Sequence, residues 1–112
     1  MAKWTNYLYH RASGSGTIAS TLAPAINFVL VGVKLHLDAA GGASEDFTIT
    51  VDSDTGTKYN VNLFTQAMLN TIDILWVPDR SVPFADGDEL DFAYANSNGQ
   101  NYGLEAIYRQ AI

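Results

Sequence analysis

The chain has 112 residues, a length typical of a single domain, and it contains no cysteine. Disulfides, cysteine-ligated zinc sites and thiol nucleophiles are therefore excluded. Hydrophobic residues make up 47% of the sequence and aromatic residues 12%, a composition too apolar for a disordered protein. The longest apolar run, residues 28–33, is too short to span a bilayer, and the first ten residues hold no apolar run of signal-peptide length. We expect no membrane partner.

The net charge of −6 is unevenly distributed along the chain. Residues 1–37 carry three basic residues and no acid, whereas residues 38–112 carry three basic residues and all twelve acids. An acidic body argues against nucleic acid as the main partner, because contacts to phosphate need Lys and Arg. The basic leading segment either lies on an acidic neighbour, such as an adjacent copy of the chain, or reflects chance, and both interpretations stay open.

The first part of the chain differs from the rest. Residues 5–11 have the pattern of a strand, and residues 12–21 are rich in Gly and Ser, as in a flexible connector. We expect residues 1–26 to form an N-terminal arm or edge element and residues 27–112 to form the main domain.

Alternation with a period of two dominates the remaining sequence. It predicts six half-buried strands, at residues 27–38, 46–52, 58–64, 71–78, 89–96 and 102–110. The connectors are rich in Gly, Asp, Asn, Ser and Pro, and no long helical stretch separates the strands. The pattern predicts an all-β antiparallel β-sandwich or jelly roll.

The alternation also predicts which side chains face the core. On the long strand the odd positions are expected to point inward: Val29, Val31, Val33, Leu35 and Leu37. The core aromatics are expected to be Phe47, Tyr59, Trp76, Phe92, Tyr94 and Tyr108, and Ile72 is expected to share a face with Ile74 and Trp76. Apolar residues are predicted on the opposite faces too, at Phe28, Leu30, Leu75, Val77 and Ile107. Such two-sided apolarity predicts a second covered surface, which either the N-terminal arm or another subunit covers.

The segment DSDTG, residues 52–56, is the strongest cofactor signal. An EF-hand loop needs Gly at its sixth position and Glu at its twelfth, but from Asp52 the glycine falls fifth and Leu63 stands twelfth. Asp and Gly between two strands favour a hairpin turn instead. A weak calcium site of another geometry, near Asp52 and Asp54 or near Asp86 and Asp88, is left open.

No other motif points to catalysis. His10 and His36 do not have the spacing of metal ligands, and the sequence has no Gly-x-Ser-x-Gly elbow and no phosphate-binding glycine loop. Nothing places a pair of carboxylates across a cleft, as a glycosidase requires. We expect a protein that is not an enzyme and that has no catalytic residues, cofactor or metal site.

Five residues near the N-terminus are the candidate partner-binding residues. Trp4, Tyr7 and Tyr9 lie in the segment least needed for the core, and aromatics outside a core are favoured interface anchors. Lys3 and Arg11 are their expected electrostatic partners.

Five stretches carry a resemblance to a known group of proteins: KLHLDAAGG, FTITVDSDTG, WVPD, GDELDF and NYGLEAIY. Over about residues 28–109 the chain resembles small structural proteins of tailed bacteriophages. The resemblance implies a β-sandwich or jelly-roll virion component, above all a capsid decoration (cement) protein made in the host cytoplasm. Such a protein binds the major capsid protein and copies of itself on the outer head surface.

Closed symmetry is usual in oligomers, so a dimer or trimer is expected. Two alternatives remain: a component of the phage tail, baseplate or fibre, and a carbohydrate-binding sandwich module.

Overall fold

The computed structural model describes residues 6–111, which form nine β-strands and no α-helix. The strands are β1 (Tyr7–Gly14), β2 (Ile18–Leu22), β3 (Phe28–Leu37), β4 (Asp46–Asp52), β5 (Val61–Ala67), β6 (Asp73–Trp76), β7 (Val82–Phe84), β8 (Glu89–Tyr94) and β9 (Tyr102–Gln110). A short 3-10 helix, Thr57–Tyr59, lies between β4 and β5. No helix in this part of the chain is long and apolar enough to cross a membrane. The predicted all-β class is confirmed.

The strands form two antiparallel sheets that pack against each other. The first sheet has the order β1-β9-β3-β6, with β7 also paired to β3, and the second sheet has the order β2-β8-β4-β5. This is the strand order of a jelly roll, in which the chain crosses repeatedly between the two sheets. The predicted antiparallel sandwich is confirmed, and β2 and β7 are additional to the strands predicted.

The described part of the N-terminal segment supplies one edge strand to each sheet. β1 pairs with β9 along its whole length, and β2 pairs in the same way with β8. Ile18 and Leu22 of β2 are buried in the core between the sheets. Their burial gives the segment a direct share of the hydrophobic stabilisation.

The core lies between the sheets and is built from alternate residues of the strands. Phe47, Phe92 and Tyr94 are buried there, as the alternation predicts. Trp76 packs against the core but stays partly exposed. Ile72 is exposed, contrary to the prediction, because β6 begins only at the next residue.

A β-bulge changes the side on which β3 presents its residues. The register of β3 against β9 shifts between Leu30 and Gly32, so Val31 is the extra residue. One extra residue reverses the facing of every side chain on one side of it. Phe28 and Leu30 are therefore buried in the core, and the prediction that they lie on the opposite face is wrong. Val29 is buried and Val31 half-buried, but neither belongs to the cluster between the sheets, which corrects their predicted inward facing.

A second bulge lies in β5. The register against β4 shifts between Ile49 and Thr50, which leaves Leu63 as the extra residue. Before the bulge, Tyr59 lies in the 3-10 helix and is 62% exposed, and Val61 is 54% exposed. Tyr59 was predicted to face the core, and that prediction is wrong. Val61 lies opposite the core residue Val51 but stays exposed on the edge strand. An alternating pattern read along the sequence does not reveal an inserted residue.

Candidate interaction surface

The chain reverses between β4 and β5 at the DSDTG segment, as the sequence predicts, but the connection runs over residues 53–60 and the strand predicted at 58–64 begins only at Val61. The carboxylate of Asp88 holds this turn in place. It accepts hydrogen bonds from the backbone N–H groups of Asp54 and Ala85, each at 2.9 Å, and from the hydroxyl of Ser53 at 3.5 Å. The Asp-rich stretches thus tie the β4–β5 turn to the β7–β8 turn.

The same two turns contain the carboxylates for which a calcium site was left open. Gly87 has φ of +95°, and a Cβ at that position would come within 2.7 Å of the Asp54 side chain. Within residues 6–111, no three His, Asp or Glu side chains are grouped so that they could hold a metal ion. Of these carboxylates, Asp88 connects the two turns and Asp54 packs against Gly87.

The two histidines lie in different surroundings. His10 points between the sheets, where its ring stacks on Phe92 at 6.0 Å and its Nε2 lies 2.7 Å from the Ser20 hydroxyl. Burial lowers the pKa of His10. His36 lies on the outer face of the first sheet, so the two rings do not belong to one site.

The outer face of the first sheet carries an apolar stripe formed by Tyr9, Ile107, Gly32, Val77 and Leu75, in which Gly32 is buried, Ile107 is half-buried and the other three are exposed. Tyr9, Ile107 and Gly32 lie side by side across β1, β9 and β3. A Cβ on Gly32 would lie 3.6 Å from Val77, which continues the stripe. Tyr9 is 47% exposed, Val77 59% and Leu75 72%. A contiguous apolar patch on a sheet marks an interaction surface more often than scattered exposed residues do.

A row of charged side chains runs beside the apolar stripe. Arg11 on β1 pairs with Glu105 on β9, with Nε 2.6 Å from the carboxylate, and Lys34 on β3 lies 3.6 Å from the other oxygen. The hydrogen bond from Arg11 holds the pKa of Glu105 below its usual range. The guanidinium group also lies 4.7 Å from the centre of the Tyr9 ring. These charges are largely compensated within the face.

His36 continues this face toward β6. Its Nδ1 lies 2.5 Å from a carboxylate oxygen of Asp73, and its Nε2 lies 3.5 Å from Asp38. The hydrogen bond with Asp73 is the main reason why the pKa of His36 is raised. The ring between two carboxylates is therefore biased toward its protonated form.

The outer face of the second sheet is different in character. Alternation along β4 and β8 places mostly acidic and small polar side chains there: Asp46, Thr48, Thr50, Asp52, Glu89, Asp91 and Ala93. Thr21 on β2 donates a hydrogen bond to Asp91 at 2.8 Å. The sandwich thus has one acidic polar face and one face with an apolar stripe and paired charges.

Tyr7, Tyr9 and Arg11, three of the five predicted partner-binding residues, lie at alternate positions of β1 on the outer face of the first sheet. Tyr9 and Arg11 are exposed, and Tyr7 is half-buried. Lys3 and Trp4 lie outside the described residues. Leu75 and Val77 lie outside the core, as predicted, and are exposed in the single chain.

Sequence reasoning missed Glu105 and Gly32 as members of this surface. Alternation assigns each of them to one side of its own strand, but it does not indicate which strands are neighbours. Glu105 is 94 residues from Arg11 along the chain, and only the β1–β9 pairing brings them together.

Comparisons with known proteins assign no family. No protein-family model matches the chain, and no curated protein matches it. Among solved structures, the nucleoplasmin-like N-terminal domain of Drosophila FKBP39 is similar over 96% of this chain and 92% of that chain, with 14% sequence identity and a TM-score of 0.49. At this level the likeness concerns the shape of the chain and carries no statement about function.

Proposed function

We propose that the protein is a non-enzymatic structural component of a tailed-phage virion, and that it is a capsid decoration protein which binds the outer surface of the head. The observation that carries this proposal is the outer face of the first sheet. It exposes apolar side chains beside the paired charges of Arg11, Lys34 and Glu105, whereas the outer face of the second sheet is acidic and polar. The resemblance of residues 28–109 to phage structural proteins supports the class of partner, namely the major capsid protein.

The proposed mechanism is binding through a complementary surface, without a chemical reaction. The apolar stripe supplies the area removed from water on docking, and desolvation of Leu75 and Val77 supplies most of the driving force. The acidic face of the second sheet stays in solvent, where its charge discourages stacking of one copy on another. Each contact is modest, and many copies on a repeating lattice add up to firm attachment and a more stable shell.

The proposal is tested by electron cryo-microscopy of particles from the phage that encodes the chain. We expect a two-sheet density on the outer head shell, with the first sheet turned toward the capsid. We also expect particles that lack the gene to release DNA at a lower temperature. Density on the tail or baseplate would contradict the decoration role and favour the tail alternative. Binding to a glycan panel with no particle association would favour the carbohydrate-binding alternative.

A pair of variants tests the docking face itself. Leu75→Lys places a charge in the apolar stripe, and we expect it to reduce occupancy on gene-deleted particles at least about tenfold. Val61→Lys is the matched control, because Val61 is a similarly exposed apolar residue on the second sheet. Equal occupancy of the two variants would refute the assignment of this face.

A further inference from the structure

We propose that two copies of the chain associate through their β1 strands, which pair edge to edge and antiparallel in one continuous sheet. This pairing specifies the contact between copies within the proposed function. It involves the edge of the first sheet rather than its outer face, and it is tested in solution without any virion.

Among the described residues, β1 is the one sheet edge without a protective feature. Edge strands are usually short, bulged, interrupted or capped by proline, since their free N–H and C=O groups otherwise recruit another strand. The opposite edge of the first sheet is divided into the short strands β6 and β7, with Pro78 between them and Pro83 within β7. The second sheet ends in the five-residue β2 and in β5 with its bulge at Leu63.

By contrast, β1 is a regular strand of eight residues. Its register with β9 runs unbroken from Tyr7 to Gly14, and it contains no proline and no bulge. Every second residue of such a strand directs its N–H and C=O away from the sheet, so a partner strand over seven residues would form about six to eight backbone hydrogen bonds.

The charge on this edge does not oppose pairing. Arg11 is the one Lys or Arg on β1, and charged residues on an edge normally repel a second strand. Here its guanidinium is bound to Glu105 at 2.6 Å and lies over the Tyr9 ring. The positive charge of Arg11 is therefore paired with the Glu105 carboxylate on the same face.

The sequence of β1 is complementary to itself in one register. With the two-fold axis through His10, Tyr9 lies opposite Arg11 of the second copy, and Leu8 lies opposite Ala12. This register repeats between copies the Tyr9–Arg11 contact that already exists within one chain. It also covers Leu8, an exposed apolar residue on the core side of the strand. An axis through Arg11 would set two guanidinium groups against each other.

The geometry has a consequence for docking. The two-fold axis is perpendicular to the sheet, so the outer faces of both first sheets point the same way. The dimer therefore presents two apolar stripes on one side of a ten-stranded sheet. Two linked contacts on a lattice bind far more tightly than one.

Site-specific cross-linking tests the register directly, because the chain has no cysteine of its own. Chains with Tyr9→Cys are mixed with chains carrying Arg11→Cys and oxidised. Directly opposite residues have Cα atoms about 4.5–5.5 Å apart, within disulfide range. We expect a disulfide-linked dimer in the mixture and little in either variant alone. Equal cross-linking in mixed and separate samples, or none in the mixture, would overturn the proposal.

The mass of the protein in solution provides the second test. We expect sedimentation equilibrium to give a dimer of the 12.2 kDa chain. Tyr9→Lys puts two like-charged pairs into the interface and should raise the dimer dissociation constant at least about tenfold, whereas Tyr9→Glu should keep the dimer. Leu75→Lys, on the far edge of the same face, should leave the constant unchanged. A wild-type monomer at its highest soluble concentration would exclude the β1 pairing.

Discussion

At the scale of single residues, Asn96 is the most demanding position in the fold. It is a buried polar residue with φ of 52°, a left-handed conformation that Asn adopts more readily than most residues. Its Nδ2 donates to the carbonyls of Gly16 and Gln100, each at 2.9 Å, and its Oδ1 accepts from the N–H of Gln100 at 3.0 Å. One amide thus fastens the β1–β2 turn to the β8–β9 turn.

Replacing Asn96 should lower the stability of the folded chain. Asn96→Asp removes the hydrogen bonds that Nδ2 donates and adds a buried charge, and we expect the free energy of unfolding to fall by about 2–3 kcal/mol. Denaturant titration measures the change. Asn101→Ala, at an exposed position of the same turn, is the control and should change stability by less than about 0.5 kcal/mol. An Asn96→Asp protein as stable as the control would contradict this assignment.

At the scale of elements, one carboxylate connects two turns. Asp88 accepts hydrogen bonds from the β4–β5 turn and from its own β7–β8 turn. Both carboxylate oxygens of Asp88 therefore hold in place the turns that lead into and out of strands of the second sheet.

Asp88→Ala should lower the free energy of unfolding by about 2 kcal/mol, because two backbone N–H groups lose a charged acceptor. Asp86→Ala, in the same turn, is the matched control, since its carboxylate takes no part in these bonds. We expect added calcium to leave the thermal midpoint of the wild-type protein unchanged. A midpoint that rises with calcium would instead support a metal site near these residues.

The pairing of β3 with β6 should depend on pH. The Asp73 carboxylate raises the pKa of His36, so the folded chain binds this proton more tightly than the unfolded chain. The stabilisation is fully present below the ordinary histidine pKa of about 6.5 and is lost as pH rises through the folded value. The wild-type protein should therefore be more stable than His36→Gln at about pH 5, and this difference in the free energy of unfolding should shrink toward about pH 8.

His10 provides a comparison of opposite sign. Burial lowers its pKa, so its protonation at low pH favours the unfolded chain. The stability of His10→Gln relative to wild type should rise as pH falls. Denaturant titrations of both variants at several pH values measure the two slopes, and parallel slopes would contradict both assignments.

At the scale of the whole molecule, both sheets share one hydrophobic core. Ile18 and Leu22 from β2 lie in the same cluster as Phe28 and Leu104 from the first sheet. Because the chain crosses between sheets, neither sheet can be exposed without opening the other. This continuity makes the described part of the N-terminal segment integral to the sandwich.

The shared core predicts a single cooperative unfolding transition. In a Trp4→Phe variant, Trp76 on β6 is the one remaining tryptophan and reports on the first sheet. Its fluorescence and the far-UV circular dichroism of the whole fold should give the same midpoint in denaturant. Two separated midpoints would show that the sheets unfold independently.

Local patterns in the sequence determined the class of fold. Period-two alternation defines half-buried strands because successive side chains point to opposite faces, and Asp and Gly define turns through their own backbone preferences. These are properties of neighbouring residues, so the sandwich, the chain reversal at residues 52–56 and the outward Leu75 and Val77 could all be predicted. The non-enzymatic virion function rests on resemblance and stays a prediction.

Only the tertiary structure decided what lies beside what. The bulge at Val31 reverses the facing of Phe28, and the bulge at Leu63 turns Phe64 toward the core opposite Ile49. An inserted residue is defined only by its partner strand. The contact of Arg11 with Glu105 requires β1 to lie next to β9, and these are the first and last of the nine described strands. Sequence patterns are local and strand order is not, so the sequence determined the class of fold, whereas the structure determined the facing of residues beyond each bulge and the surface that neighbouring strands form together.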